Sequence, residues 1–239
     1  MPDQIDLSRM ESVPVQGPNG YLRLHRYWRT ADESLWDQIW DGTPSKDYWR
    51  HGLAGHLPGA YADPFRKHLE PKSAVLEAGC GLGHVVLALR QWGHDCHGLD
   101  YAERTVRELT RVFPDVPFKQ GDIRLLPYEA GAFDAYISLG VIEHFTEGHE
   151  HMLAEARRVL RPGGRIFLSV PVLNAYRRLR IRLGTYRKAS SAPFFEACFQ
   201  TSELAFMLRE AGFRVIEHRY QNPVMTFVQE SPLRPLYRL

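Results

Sequence analysis

The chain has 239 residues, 44% of them hydrophobic, and its 30 basic side chains nearly balance 28 acidic ones. This length and composition suit one globular domain with additions and supply enough apolar side chains for a sizeable core. The formal net charge of +2 does not indicate the broadly basic surface of a nucleic-acid-binding protein. No apolar run approaches the roughly 18 residues of a membrane span.

The first residues and the cysteines indicate a cytoplasmic protein. Residues 1–6 have neither the basic flank nor the apolar stretch of a signal peptide. The three cysteines, Cys80, Cys96 and Cys198, lie far apart and lack the spacing of a zinc site. We therefore expect reduced thiols.

Residues 1–69 are rich in aromatic side chains and histidines. Within this segment, Leu35, Trp36 and Trp40 recur with the spacing of an apolar helix face. Because aromatic residues in this number do not suit a disordered tail, we expect a helical cap that covers the ligand cleft of the core that follows.

Residues 75–83, which read VLEAGCGLG, are the most informative stretch of the chain. A buried strand ends there at an acidic residue, and the chain then turns on alternating glycines. Glycines let the backbone turn tightly and let a ligand lie against main-chain N–H groups. A dinucleotide-binding loop, G-x-G-x-x-G, would need its third glycine where His84 stands. An NAD-dependent oxidoreductase is therefore the less favoured interpretation, although it stays open.

The strand patterns that follow each end in a residue suited to binding. Residues 96–100, CHGLD, predict a second strand that ends in a carboxylate, which can accept both hydroxyls of a ribose. A third strand is expected around residues 117–119, and residues 121–123, GDI, follow it. Strand and helix patterns alternate from residue 70 to residue 171, which predicts a parallel sheet covered by helices on both faces.

Two further motifs complete the series. Residues 133–138, FDAYIS, predict a fourth strand that leads into residues 139–145, LGVIEHF. Residues 160–170, LRPGGRIFLSV, predict the end of a helix, a Pro-Gly-Gly turn and a fifth strand.

These five motifs, in this order, resemble the class I S-adenosylmethionine-dependent methyltransferases over roughly residues 70–220. The resemblance implies a three-layer, Rossmann-like α/β fold with a mostly parallel, seven-stranded sheet and helices on both faces. Residues 202–211 are expected to form a helix, and residues 213–220 and 225–229 the last two strands. The predicted organisation is a helical cap, residues 1–69, and a core, residues 70–239, with a basic lid insert at residues 172–200.

The resemblance also implies the cofactor, S-adenosylmethionine, and the residues that hold it. It assigns Asp100 to the ribose hydroxyls, Asp122 to the adenine amine and Ile123 to the adenine ring. From the residues alone, Asp100 could instead cap the following helix, and Asp122 could be a plain turn residue. Tyr48 and Trp49 of the cap are expected nearest the methionine end. The full set of expected cofactor contacts is Glu77, Ala78, Gly79, Cys80, Gly81, Gly83, Asp100, Tyr101, Asp122, Ile123, Leu139 and Gly140.

The predicted catalytic residues are Glu143 and His144, because the resembling family places residues that face the sulfonium and the acceptor after the fourth strand. A hydroxyl acceptor must lose its proton, so it needs a base, for which His144, His51 and His56 are candidates. An amine acceptor can need only positioning, which would leave His144 a structural role. No metal-ligand spacing such as H-E-x-x-H is present, so no metal is expected, and residues 149–151 are expected to open a solvated helix.

Motifs that the chain lacks narrow the chemical class of the methyl acceptor. Enzymes that methylate exocyclic amines of bases usually carry Asp/Asn-Pro-Pro-Tyr/Phe after the fourth strand, where residues 138–141 of this chain read SLGV. No cysteine has the setting expected for cytosine chemistry. We predict methyl transfer to oxygen or nitrogen of a small-molecule, lipid-linked or glycan-linked acceptor by in-line displacement. A catalytically silent S-adenosylmethionine-binding subunit is the other alternative.

Residues 174–188, NAYRRLRIRLGTYRK, contain no acid and predict a basic amphipathic helix. Such a helix can rest on anionic lipid or close as a lid over an acidic substrate. A solvated helix whose arginines pair with carboxylates elsewhere is the third interpretation. The oligomeric state is left open.

Overall fold

The structure is a computed structural model, and it describes residues 10–41, 43 and 45–220. In chain order its helices and strands are β1 (Glu11–Gln16), β2 (Leu22–Tyr27), α1 (Glu33–Asp41), α2 (Ser45–Leu53), α3 (Gly59–His68), β3 (Ala74–Ala78), α4 (His84–Gln91), β4 (Asp95–Asp100), α5 (Glu103–Val112), β5 (Phe118–Gln120), β6 (Phe133–Leu139), α6 (His149–Val159), β7 (Leu160–Ser169), α7 (Ala175–Arg182), β8 (Phe194–Cys198) and α8 (Thr201–Glu210). Every described helix is too short or too polar to span a bilayer.

The larger sheet has five parallel strands in the order β5-β4-β3-β6-β7. Neighbouring residues of its central strand, Val75 and Leu76, are both fully buried but belong to different apolar clusters. Since successive side chains of a strand point to opposite faces, both faces of the sheet are covered. One cluster contains side chains of α3, α4 and α5, and the other those of α6. The predicted three-layer α/β arrangement is thereby confirmed.

The strand order reverses at the middle of this sheet, because successive strands are added first on one side of β3 and then on the other. In open parallel sheets, ligands bind outside the carboxyl ends of the strands at such a reversal. The topology therefore marks the ends of β3, β4 and β6 as the place to look for a site.

The prediction of seven strands differs from the structure, in which the described residues give five to the parallel sheet. Residues 213–220, predicted as a strand, have no regular secondary structure. Val215 and Ile216 are 42% and 50% exposed, and Glu217 forms ion pairs with Lys67 and His68 at the end of α3. These contacts lie along a helix and not along a sheet edge. The strand predicted at residues 225–229 lies outside the described residues.

The amino-terminal segment is only partly the predicted helical cap. It has α1, α2 and α3, but residues 11–27 form an antiparallel hairpin whose second strand pairs with β8. Its sequence alternates apolar and polar residues, as in LRLHRY, and a Pro-Asn-Gly turn separates the strands. This second sheet, β1-β2-β8, joins the amino-terminal segment to the insert that follows β7.

Buried charges hold the second sheet to the rest of the chain. Arg23 Nε donates to Glu203 Oε1 at 2.7 Å, and both side chains are only 2% exposed. The Arg23 guanidinium also lies 4.7 Å from the centre of the Phe199 ring. Because removing one partner of a buried pair leaves the other charge uncompensated, these contacts make the hairpin dependent on α8.

Arg23→Ala is expected to lower the free energy of unfolding by about 3–5 kcal/mol, since the Glu203 carboxylate would stay buried without its partner. Chemical denaturation followed by circular dichroism measures the change. Arg23→Met combined with Glu203→Leu should recover most of the loss, because an apolar pair needs no charge compensation. The matched control is Arg107→Ala, whose ion pair with Glu103 is exposed and should cost less than about 1 kcal/mol. Equal losses at the two arginines would contradict the prediction.

The prediction that residues 149–151 open a solvated helix is wrong for His149, which is buried at the start of α6. It packs against the edge of Phe199. Burial, together with the nearby Arg23, lowers the pKa of His149 to about 4. The folded chain therefore keeps this side chain neutral at a pH where an unfolded histidine takes up a proton.

The consequence is a loss of stability as the pH falls from about 6.5 toward about 4, because only the unfolded state binds the proton in this window. His149→Gln should flatten the dependence of the unfolding free energy on pH in this range. His151→Gln, on the exposed side of the same helix, is the control and should leave the slope unchanged. Parallel curves for the two variants would show that His149 does not carry the effect.

Candidate functional site

A cavity of about 860 Å³ opens at the carboxyl ends of β3, β4 and β6. The wall on its other side comes from β2, α1 and β8. It combines aromatic side chains with buried charges, which is the usual composition of a small-molecule site. Ten of the twelve residues predicted to contact the cofactor line this cavity: Glu77, Gly79, Cys80, Gly81, Asp100, Tyr101, Asp122, Ile123, Leu139 and Gly140.

The other two predicted residues lie behind the cavity wall. Ala78 is fully buried in the apolar cluster on the α6 side of the sheet. Gly83 precedes α4, and a methyl group in place of its hydrogen would meet the Phe118 ring at 2.8 Å. Both residues therefore have packing roles in the structure, and their contact with the cofactor stays a prediction.

The glycine loop lies close to its neighbours because two of its residues have no side chain. Gly79 and Gly81 adopt φ values of 86° and 49°, in the left-handed region that favours glycine. A Cβ at Gly79 would lie 2.3 Å from a methyl carbon of Val141, and one at Gly81 would lie 2.8 Å from the Trp40 ring. The loop therefore presents bare backbone toward the cavity, with an indole of α1 against it.

The Asp100 carboxylate holds this loop. Its Oδ2 accepts the Gly81 N–H at 2.7 Å, and its Oδ1 accepts the Ala102 N–H at 2.9 Å. Burial raises the pKa of Asp100, although these backbone amides act in the opposite direction. A carboxylate can accept about four hydrogen bonds, and the Tyr101 amide also acts on Asp100, so acceptor capacity still remains for a ligand. The alternative in which Asp100 caps the following helix differs from the structure, because α5 begins at Glu103 with Ala102 as its N-cap residue, and the Asp100 bond to Ala102 lies before the helix.

Asp122 is bound by a partner that the sequence analysis missed. Arg124 Nε donates to both oxygens of Asp122, at 3.0 and 2.9 Å, and the Arg124 guanidinium lies over the Phe145 ring. Burial alone would raise the pKa of Asp122, but the hydrogen bonds from Arg124 outweigh it and lower the pKa. A ligand amine would have to share this carboxylate with Arg124. Ile123 beside it is buried.

His144 lines the cavity with one ring nitrogen already engaged. Its Nδ1 lies 2.8 Å from the Phe195 carbonyl oxygen, which can only accept a hydrogen bond, so Nδ1 carries the proton. Nε2 is then the nitrogen with a free lone pair. The rings of Trp36 and Phe195 both lie 4.8 Å away, centre to centre. Burial lowers the pKa of His144, against the opposing effect of Glu196, so the imidazole is neutral near pH 7.

Glu143 is buried behind His144 and does not line the cavity. Its Oε2 has no hydrogen-bond partner among the described residues. Burial, reinforced by the charge of Glu196, holds the pKa of Glu143 well above its usual range. The side chain is therefore placed to influence His144 and is not placed to touch an acceptor directly.

Three side chains near this point could hold a metal ion, since one ligand atom each of Glu143, His144 and Glu196 lies within 4.8 Å of the others. Sequence spacing did not reveal the group because Glu196 is on β8, far along the chain. Glu196, however, already receives a hydrogen bond from the Arg26 guanidinium. That cation balances its charge, so the absence of a metal stays a prediction.

Of the other residues that the sequence analysis singled out near the site, only some line the cavity. His51 and His56 are exposed on α2 and just after it, and neither lines the cavity, so their positions do not support them as base candidates. Tyr48 does line it, with its ring against His84. Trp49 does not, because its indole N–H donates to the Leu82 carbonyl and its ring packs on Phe113.

The comparisons with known proteins agree with this geometry. Residues 76–168 match the model of the methyltransferase domain family. A probable S-adenosylmethionine-dependent methyltransferase of Mycolicibacterium smegmatis is 33% identical over 141 residues, 59% of this chain and 52% of that relative. The tRNA U34 carboxymethyltransferase of Cellvibrio japonicus is 28% identical over 182 residues, 70% of this chain and 55% of that enzyme. The chain thus spans about half the length of these curated relatives.

The fold has a counterpart among solved structures. A chain of the complex between the Haloferax volcanii Trm112 methyltransferase activator and a methyltransferase matches with a TM-score of 0.57 and 22% identity, over 76% of this chain and 77% of that one. The matched domain, residues 76–168, contains the glycine loop, Asp100, Asp122 and His144. Residues 76–168 are therefore similar to a methyltransferase domain, and the Mycolicibacterium smegmatis relative that matches is named as a probable S-adenosylmethionine-dependent methyltransferase.

Proposed function

We propose that this chain transfers a methyl group from S-adenosylmethionine to an oxygen or nitrogen atom of a small-molecule, lipid-linked or glycan-linked acceptor. The observation that carries the proposal is one cavity whose lining includes both the glycine loop with Asp100 and the free ring nitrogen of His144. A donor and an acceptor bound in that cavity would meet at the ends of β3 and β6.

The cavity fits the cofactor in three respects. Gly79 and Gly81 let the loop backbone lie directly against Val141 and Trp40 at the cavity wall. Asp100 retains acceptor capacity for ribose hydroxyls after binding the backbone amides. Glu77 Oε2 is buried without a hydrogen-bond partner among the described residues, at the cavity wall. A buried carboxyl of this kind is satisfied when a bound ligand supplies a donor.

The cofactor supplies a methyl group on a sulfonium, which is already activated for displacement. The protein therefore mainly has to hold the acceptor atom in line with that methyl group and keep water away. Trp36 and Phe195 restrict the space beside His144. The Phe195 carbonyl fixes the orientation of the imidazole, so that Nε2 is the nitrogen available to an acceptor.

His144 is the proposed general base for a hydroxyl acceptor. Its lowered pKa keeps Nε2 unprotonated at neutral pH, as a base requires. Glu143 is proposed as a positioning residue next to it. For an amine acceptor, the same geometry would serve to orient the nucleophile without taking a proton.

A polynucleotide acceptor is not part of the proposal, although one relative is named as a tRNA enzyme. The acceptor side of the cavity combines aromatic rings with the Arg26–Glu196 ion pair, so Arg26 is already paired and does not offer a free cation to a phosphate backbone. The buried cysteines Cys80, Cys96 and Cys198 suit the proposed cytoplasmic location. A silent cofactor-binding subunit remains the alternative that an activity screen decides.

Asp100→Ala is expected to weaken S-adenosylhomocysteine binding by about 30- to 150-fold, because two ribose hydroxyls would lose a charged acceptor. Isothermal titration measures the affinity. Asp95→Ala is the matched control, since that carboxylate begins the same strand and is exposed beside Arg90. Unchanged affinity in a folded Asp100→Ala variant would rule out the ribose assignment.

His144→Gln is expected to lower kcat by about 10²- to 10⁴-fold for a hydroxyl acceptor while leaving S-adenosylhomocysteine affinity unchanged. A panel of small phenols, phosphorylated sugars and lipid-linked intermediates, screened with the unaltered chain, provides the acceptor. With that acceptor, kcat should hold through neutral pH and fall only at a pH lower than the usual pKa of a histidine, because burial lowers the pKa of His144 and only the protonated ring cannot act as a base. A His144→Gln variant with full kcat would reduce His144 to a structural role.

A further inference from the structure

The helix α7 lies outside the cavity although both ends of its segment reach the cavity wall. Pro171 and Phe195 line the cavity, whereas none of residues 174–188 does. The inner side of α7 is fixed: Arg177 is 5% exposed and donates to the Val172 carbonyl, and Ile181 packs on a buried cluster with Leu173. The structure therefore does not place this segment over a substrate as a lid.

The outer side of α7 combines exposed leucines with exposed arginines. Leu179 and Leu183 are 52% and 67% exposed and lie one helical turn apart. Arg178 and Arg182 have the same spacing, precede the leucines by one residue each and are also exposed. We name these four residues the α7 outer face. None of these four residues lines the cavity.

The segment that contains the α7 outer face carries charge of one sign in its sequence. No aspartate or glutamate occurs between residues 171 and 195. Arg178 and Arg182 form no ion pair with a carboxylate of the described residues, unlike Arg187, which lies 3.3 Å from Glu11. Exposed leucines together with outward arginines, without acids between them, match a bilayer surface, where anionic headgroups lie outside an apolar acyl layer.

We propose that the α7 outer face docks on a bilayer that contains anionic lipid, with Arg178 and Arg182 on the headgroup phosphates and the two leucines at the acyl boundary. This contact is separate from the proposed methyl transfer and needs no cofactor. It would bring the cavity wall at Pro171 and Phe195 close to the membrane surface, from which a lipid-linked acceptor could enter.

The test is cosedimentation of the whole chain with vesicles of phosphatidylcholine alone and of phosphatidylcholine with phosphatidylglycerol. Binding is expected only to the second kind and should weaken as salt is raised. Arg178→Glu with Arg182→Glu should lower this binding at least about tenfold. Leu179→Ser with Leu183→Ser should also lower it severalfold, because leucine side chains contribute buried apolar area. S-adenosylhomocysteine affinity, measured in parallel, should stay unchanged in both variants.

Two matched controls test whether the effect belongs to this face. Arg107→Glu with Arg111→Glu makes the same charge change at the same spacing on the exposed side of α5, and Leu125→Ser removes another exposed leucine. Both should leave vesicle binding intact. The proposal is overturned if the chain does not bind phosphatidylglycerol vesicles or if the α5 reversal is equally damaging. It is also overturned if the leucine changes have no effect, if polyglutamate binds the chain as well as the vesicles do, or if the α7 variants lose cofactor affinity.

Discussion

The carboxyl end of β4 fixes the backbone on which the site depends. The Leu99 carbonyl accepts the N–H groups of Gly79 and Cys80, and the Asp100 carboxylate accepts that of Gly81. Three consecutive amides of the glycine loop are thus held by two neighbouring residues of the next strand. Because the loop backbone is fixed, α4 begins directly after it at His84, and the Trp40 ring packs against Gly81. The shape of the glycine loop therefore depends on its hydrogen bonds to β4 as well as on its glycines.

The opposite wall of the cavity depends on contacts between distant parts of the chain. β2 pairs with β8, more than 160 residues away along the sequence, and the Arg26–Glu196 pair lies where that pairing meets the cavity. The same strand supplies the Phe195 carbonyl that orients His144. The proposed base is thus positioned by the second sheet, which carries none of the cofactor motifs. The parallel sheet carries the glycine loop and Asp100, and the antiparallel sheet orients His144 on the opposite wall of the cavity.

The sequence predicted the parts of the molecule whose signals are local. Strand ends followed by Asp100 or Asp122, and the glycines between β3 and α4, could be recognised because each motif contains its own turn chemistry. The hairpin at residues 11–27 was missed although its alternating pattern was visible, because the aromatic residues around it favoured a helical interpretation. The Arg23–Glu203 and Arg26–Glu196 pairs could not be predicted, since spacing along a chain does not tell which buried charges will meet. The Arg124–Asp122 contact was local but has no distinctive pattern.

The pairing of β2 with β8 also bears on how the molecule is assembled during synthesis. A ribosome delivers β3 to β7 before β8, so the parallel sheet can form while β2 still has an unpaired edge. Long-range antiparallel pairing is slow because a large loop must close first. The wall that contains Arg26, Phe195 and Glu196 is therefore completed last, after the cofactor loop already exists. A nascent chain of this protein would acquire its donor site before its acceptor site.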